Sequence, residues 1–239
     1  MWTFWRIAIF SISAAIINAI GIFVVYKNKT RAEKMKTYLM CLAAGVLIAS
    51  PLMFAFPKAI TQNPYAWFAA LIGFIFMFFS NEIIKRKTKQ KSLAFGITAM
   101  EGIGIHSFID GVIYSVTFSV SIIIGLVSWI GLILHEFAEG VIVYSVLLKS
   151  GLNRKKSALY ALLIASLTTP LWAFIAYPLI NKLDSSILGL LLWFVVGVLI
   201  YISAAHLLPE AREYEKKHSI RAFLIWIGIS LLFVLTKII

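Results

Sequence analysis

Apolar residues run along this chain in long blocks, and polar residues gather in the short stretches between them. Eight apolar windows stand out, at approximately 7–26, 38–57, 65–84, 93–118, 122–148, 158–180, 187–208 and 221–238. Each is close to the ~20 residues an α-helix needs to cross a bilayer. The pattern predicts an all-α membrane protein with eight transmembrane helices. It forms one polytopic domain over residues 1–239, because the windows leave no room for a soluble domain. Arg6 precedes the first window and no small-residue cleavage site follows it, so this window reads as a retained helix and not a signal peptide.

Composition supports the pattern. The chain is 61% hydrophobic and 13% charged, against roughly 45–50% and about 25% for soluble domains. Its single cysteine, Cys41, excludes an intramolecular disulfide. A net charge of +12 on a soluble protein would suggest nucleic acid, but here position explains the charge and no nucleic-acid partner is expected. The stretches after windows one, three, five and seven read "KNKTRAEKMK", "KRKTKQK", "KSGLNRKK" and "AREYEKKHSIR", and they hold eighteen of the 22 Lys and Arg. Arg6, Lys58, Lys182 and Lys237 are the remainder. Short loops rich in positive charge stay cytoplasmic, so both termini are expected outside a cell (inner or plasma) membrane. The same basic runs suit acidic membrane lipid. None is rich in histidine.

Two echoes within the chain bear on architecture. "GVLIASPLMFAFPKA" (45–59) matches "GVLIYISAAHLLPEA" (197–211) at Gly, Val, Leu, Ile, Pro and the final Ala. "HSFIDGVIYS" from His106 is matched by "HEFAEGVIVYS" from His135, 29 positions later. In the expected topology the members of each pair run in opposite directions. Inverted repeats around a midplane site are a recurrent transporter design, and they predict helices in 3+2+3 order.

The second echo carries chemistry. Residues at i and i+4 share a helix face, so His106 pairs with Asp110 on span four and His135 with Glu139 on span five. Glu136 lies about 100° round from His135. A charged carboxylate at the bilayer centre costs ~2.5–3.5 kcal/mol even on the lenient insertion scale, so three of them must be offset by ~8–10 kcal/mol. No Lys or Arg lies at that depth in any window. A divalent cation would cancel the charge and explain why the acids travel with histidine. Imidazole with carboxylate suits zinc, iron or manganese and not calcium or magnesium.

These motifs resemble the two signatures of the ZIP (Zrt/Irt-like) family of divalent metal transporters, in its prokaryotic type, usually written HNxPDG and HExPEG. "SLTTPL" (166–171) and "YISAAHLLPEA" (201–211) resemble that family's span-six and span-seven motifs. The resemblance covers the whole chain. It implies import of a divalent transition metal into the cytoplasm, zinc first with iron, manganese or cadmium as alternatives, by a homodimer. It further implies that His106, Asp110, His135 and Glu139 hold one metal, and that Asp110, Glu136 and Glu139 hold a second. Ser107 and Thr169 stand where relatives often carry stronger ligands, and Phe54 where some carry a histidine. Ile109 and Ala138 replace both motif prolines, so neither helix is forced to kink there.

A rival reading is an intramembrane zinc-dependent hydrolase. "HEFAE" is similar to the HExxH helix of zinc proteases, although Glu139 stands in place of the second histidine. Toward the cytoplasmic side, Glu101 lies about 7 Å from His106 along span four at ~1.5 Å per residue, and His206 and Glu210 lie near the end of span seven. These three form an expected exit path for the metal.

Overall fold

The first helix shows how the bundle is built. α1 (Trp2–Lys27) turns Ile7, Ser11, Ala14, Asn18, Gly21 and Val25 inward, and all six are buried. Its opposite stripe, Trp2, Trp5, Ile9, Ile12, Ile16, Ile20 and Phe23, is exposed. Small and polar residues (Ser11, Ala14, Asn18 and Gly21) are confined to the bundle face, while the outward stripe is bulky and apolar. That reverses the order of a soluble helix and suits packing within lipid, where close backbone approach drives association.

This computed structural model describes residues 2–87 and 93–209, together with 221, 223–225, 227 and 228. For residues 50, 81, 84–87, 93–103, 105, 206 and 207 it describes the backbone alone. Seven long rods result. After α1 come α2 (Lys29–Gln62), α3 (Phe68–Lys87), α4 (Leu93–Val120), α5 (Ile122–Lys149), α6 (Arg154–Ile180) and α7 (Ser185–Ala205). Five of them, α1, α2, α5, α6 and α7, are long and apolar enough to cross a membrane by length and composition. α4 is 28 residues long, while the apolar part of α3, Phe68–Ser80, is shorter. Most of the eighth window lies outside the described residues.

α4 and α5 run without a break through both histidine motifs, as the missing prolines predict. Two other rods are interrupted by π-helical turns, Pro51–Ala55 in α2 and Leu162–Ser166 in α6, and a third such turn, Ile202–Leu207, runs past the end of α7. Each lies shortly before a proline, respectively Pro57, Pro170 and Pro209. A proline ring removes one backbone bond and crowds the carbonyl four residues earlier, and widening the preceding turn relieves the clash. The turns in α2 and α7 fall at corresponding places in the two echoed segments, 45–59 and 197–211. The turn in α7 packs on the α-helical part of α2, where the Ser203 hydroxyl donates to the Ala44 carbonyl at 2.6 Å.

α1 packs chiefly on α5, and α6 on α4, while α4 and α5 pack on each other. α2 lies against α5, and α3 against α7. The central pair is therefore walled by α1 and α2 on the α5 side and by α6 on the α4 side. Side chains at helix starts satisfy the free backbone donors there. Asn28 accepts from Arg31 N, Asn153 from Lys156 N, and Asp184 from both Ser186 N and Ile187 N.

Candidate metal centre

Glycines follow the acids in both motifs, at Gly111 and Gly140, and the packing shows why. A Cβ on Gly140 would lie 2.3 Å from the Asn18 carbonyl oxygen of α1, and one on Gly111 would lie 2.6 Å from the Ala173 nitrogen of α6. Only a residue without a side chain lets these backbones approach so closely. The preceding acid, Asp110 or Glu139, is thereby held at a fixed depth between α4 and α5.

Four of the expected ligands converge. Ligand atoms of His106, Asp110, His135 and Glu139 all lie within 4.8 Å of one another. His106 Nε2 faces His135 Nε2 at 3.2 Å, and Asp110 Oδ2 lies 3.5 Å from the first and 3.4 Å from the second. The imidazole rings meet edge to face, with centroids 5.3 Å apart. Zinc bonds of about 2.0–2.2 Å in tetrahedral geometry imply ligand-to-ligand edges of roughly 3.3–3.6 Å. The observed triangle has nearly those edges, and Glu139 supplies a fourth donor.

The surroundings sharpen the point. Asp110 and Glu136 are fully buried, and His135 is 3% exposed. Among the described residues neither oxygen of Asp110 has a hydrogen-bond donor. A buried carboxylate left unbonded is costly, and a divalent cation is the partner this donor set fits. His106, with 21% of its side chain exposed, opens the centre on one side.

The other expected residues are placed differently. Glu136 lies one turn-step away and is held by other partners: Asn18 Nδ2 donates to its Oε2 at 2.8 Å, and the Thr169 hydroxyl donates to its Oε1 at 3.2 Å. Asn18 Nδ2 also reaches Glu139 Oε2 at 3.3 Å, and the Ser166 hydroxyl donates to Asn18 Oδ1 at 2.9 Å. Ser107 is buried, and its hydroxyl has no hydrogen-bond partner among the described residues. The side chains of Glu101 and His206, and the whole of Glu210, lie outside the described residues. Neither Asn18 nor Ser166 belongs to the paired histidine motifs. A lone amide in the apolar run "IINAIG" was a signal that could have found Asn18.

Comparisons with known proteins bear on the family of the chain. The family described as ZIP zinc transporter matches residues 85–236, a segment holding both histidine motifs and the α6 and α7 motifs. The chain is 38% identical over 136 residues to a zinc transporter ZupT of Clostridium perfringens, covering 56% of this chain and 46% of that one. It is 40% identical over 125 residues to one of Nitratidesulfovibrio vulgaris, covering 52% and 44%. With both of these relatives the alignment spans just under half of the relative's length. A zinc transporter ZupT of Oceanobacillus iheyensis is 31% identical over 235 residues, covering 86% of this chain and 87% of that one. These relatives are transporters, which leaves the hydrolase reading without support. With the paired motifs brought to one buried centre and the similarity running across most of the chain, this protein belongs to the ZIP zinc transporter family.

Proposed function

We propose that this protein carries zinc across the plasma membrane into the cytoplasm through the centre between α4 and α5. Iron, manganese and cadmium are alternative cargo, since the same donors accept them. The observation that carries the reading is the triangle of His106, His135 and Asp110, at 3.2–3.5 Å with unbonded carboxylate oxygens. His106, Asp110, His135 and Glu139 bind the metal as substrate. Exchange with water proceeds past the partly open His106. The exit expected from the sequence, past Glu101, His206 and Glu210, rests on side chains outside the described residues.

Several observations support the finer architecture of eight helices in 3+2+3 order with inverted repeats. The paired packing of α1 on α5 and α6 on α4, and the corresponding π-turns in α2 and α7, fit it. The orientation with both termini outside draws on the basic stretches. Lys27, Lys29, Lys149 and Arg154 line one cavity of about 320 Å³, so the stretches after the first and fifth windows share one end of the bundle. Acidic lipid headgroups suit that end. A second copy of the chain, as in a homodimer, is the remaining partner.

Uptake of radioactive zinc by proteoliposomes tests the reading. The expected result is uptake by the unaltered protein and its loss in His135→Ala and in Glu139→Ala, with membrane insertion intact. Normal uptake by both variants would place the pathway elsewhere.

A further inference from the structure

The donors around Glu136 bear on how many metal ions the centre holds. Glu136 and Glu139 are adjacent buried carboxylates on α5, and a pair of that kind invites a cation of its own. A neutral amide occupies that position instead. Asn18 Nδ2 lies 2.8 Å from Glu136 Oε2 and 3.3 Å from Glu139 Oε2, so its two N–H groups serve one oxygen of each acid.

The orientation of the amide is fixed by the two acids, since the Ser166 hydroxyl at its other end can donate or accept. The Ser166 hydroxyl lies 2.9 Å from Asn18 Oδ1. Turning the amide over would aim its carbonyl oxygen at two carboxylates, which offer no proton, so the orientation with nitrogen toward the acids is the bonded one. The second oxygen of Glu136 is taken by Thr169. Both oxygens of Glu136 therefore already have donors, and the ligand cluster of His106, Asp110, His135 and Glu139 forms without it.

Asn18 cannot easily swing away. Its own carbonyl is the contact that excludes a side chain at Gly140, and the residue is fully buried. A cation entering between Glu136 and Glu139 would have to displace two N–H donors. From Asn18 it would gain only the amide oxygen, which Ser166 already holds.

Resting on the metal-site reading above, we infer that the Asn18 amide takes the place of a second cation beside Glu136 and Glu139, so that each chain binds one metal ion tightly. Asn18 is thus a positioning residue that sets stoichiometry. An aspartate at this position would reverse its role, supplying a carboxylate ligand where the amide supplies donors.

The test is equilibrium dialysis of the full-length, detergent-purified protein against zinc, with bound metal counted per chain. The unaltered protein should bind one zinc tightly, Asn18→Asp should bind two, and His135→Ala should lose the single zinc of the unaltered protein. Should Asn18→Asp fail to fold, Asn18→Ala serves, and its second zinc should bind at least tenfold tighter than any second zinc on the unaltered protein. Two tight zinc ions on the unaltered protein would overturn the inference while leaving the metal site standing. One zinc on Asn18→Asp, or an unchanged second affinity in Asn18→Ala, would also overturn it. No zinc on the unaltered protein would sink the metal-site reading itself, and the inference with it.

Discussion

Gly140 of α5 lies so close to Asn18 of α1 that an added Cβ would stand 2.3 Å from the Asn18 carbonyl oxygen and 3.0 Å from its Oδ1. The oxygen belongs to helical backbone and cannot give way without moving α1. Gly140→Ala should therefore cost about 1–3 kcal/mol, the usual range for overpacking a tight contact. The matching change at Gly104 is the control, because no atom of the described residues lies within 4 Å of a Cβ there. Thermal unfolding in detergent should show a lower midpoint for Gly140→Ala and no loss for Gly104→Ala. Equal midpoints would mean that the α1–α5 contact is looser than described.

Ser203 joins the π-turn of α7 to α2 through its bond to the Ala44 carbonyl, and it is fully buried. Removing the hydroxyl in Ser203→Ala leaves the fold one bond short, at a cost of about 0.5–1.5 kcal/mol. Chemical unfolding in detergent reads the difference directly. Stability equal to that of the unaltered protein would show that the contact between the two rods does not depend on this bond.

Much of the fold was legible because lipid-crossing helices must be long and apolar, and windows one to seven each became a helix. Their ends were less legible. The stretch after window one reads as a charged loop, yet α2 begins at Lys29, with Asn28 capping it. Lys, Arg and Glu are good helix formers, so a basic stretch beside a cap extends a helix as readily as it ends one. At the centre, the i,i+4 spacing placed His106 with Asp110 and His135 with Glu139, and the folded chain brings all four together. Spacing within one helix says nothing about what a neighbouring helix contributes. That is why the hydrogen bond from Asn18 to Glu136, 118 residues away, has no mark in the spacing. The π-turns had a local signal in the prolines that follow them, but which carbonyls are freed depends on the packing.

The last prediction separates the cost of the centre from its use. Asp110 is fully buried with both oxygens unbonded among the described residues, and its Oδ2 lies 3.4–3.5 Å from two imidazole nitrogens. Without metal, this carboxylate is a liability to the fold. Asp110→Asn keeps the shape, removes the charge and gains N–H groups that can donate toward the imidazoles. The metal-free variant should therefore be more stable than the unaltered protein, by about 1–3 kcal/mol if the whole penalty of an unsatisfied buried group is relieved. Zinc should reverse the order. A ligand at 100 times its dissociation constant stabilises the bound fold by about 2.7 kcal/mol, and the unaltered protein should show a rise of that size. Replacing a charged ligand should weaken affinity by on the order of 100-fold or more, since even outer-sphere changes cost 10–100-fold, so the variant should show little rise. Thermal unfolding with and without zinc gives the four midpoints needed. A variant less stable than the unaltered protein without metal would mean that Asp110 is already well bonded in the fold. An equal rise with zinc in both proteins would remove Asp110 from the metal's ligands.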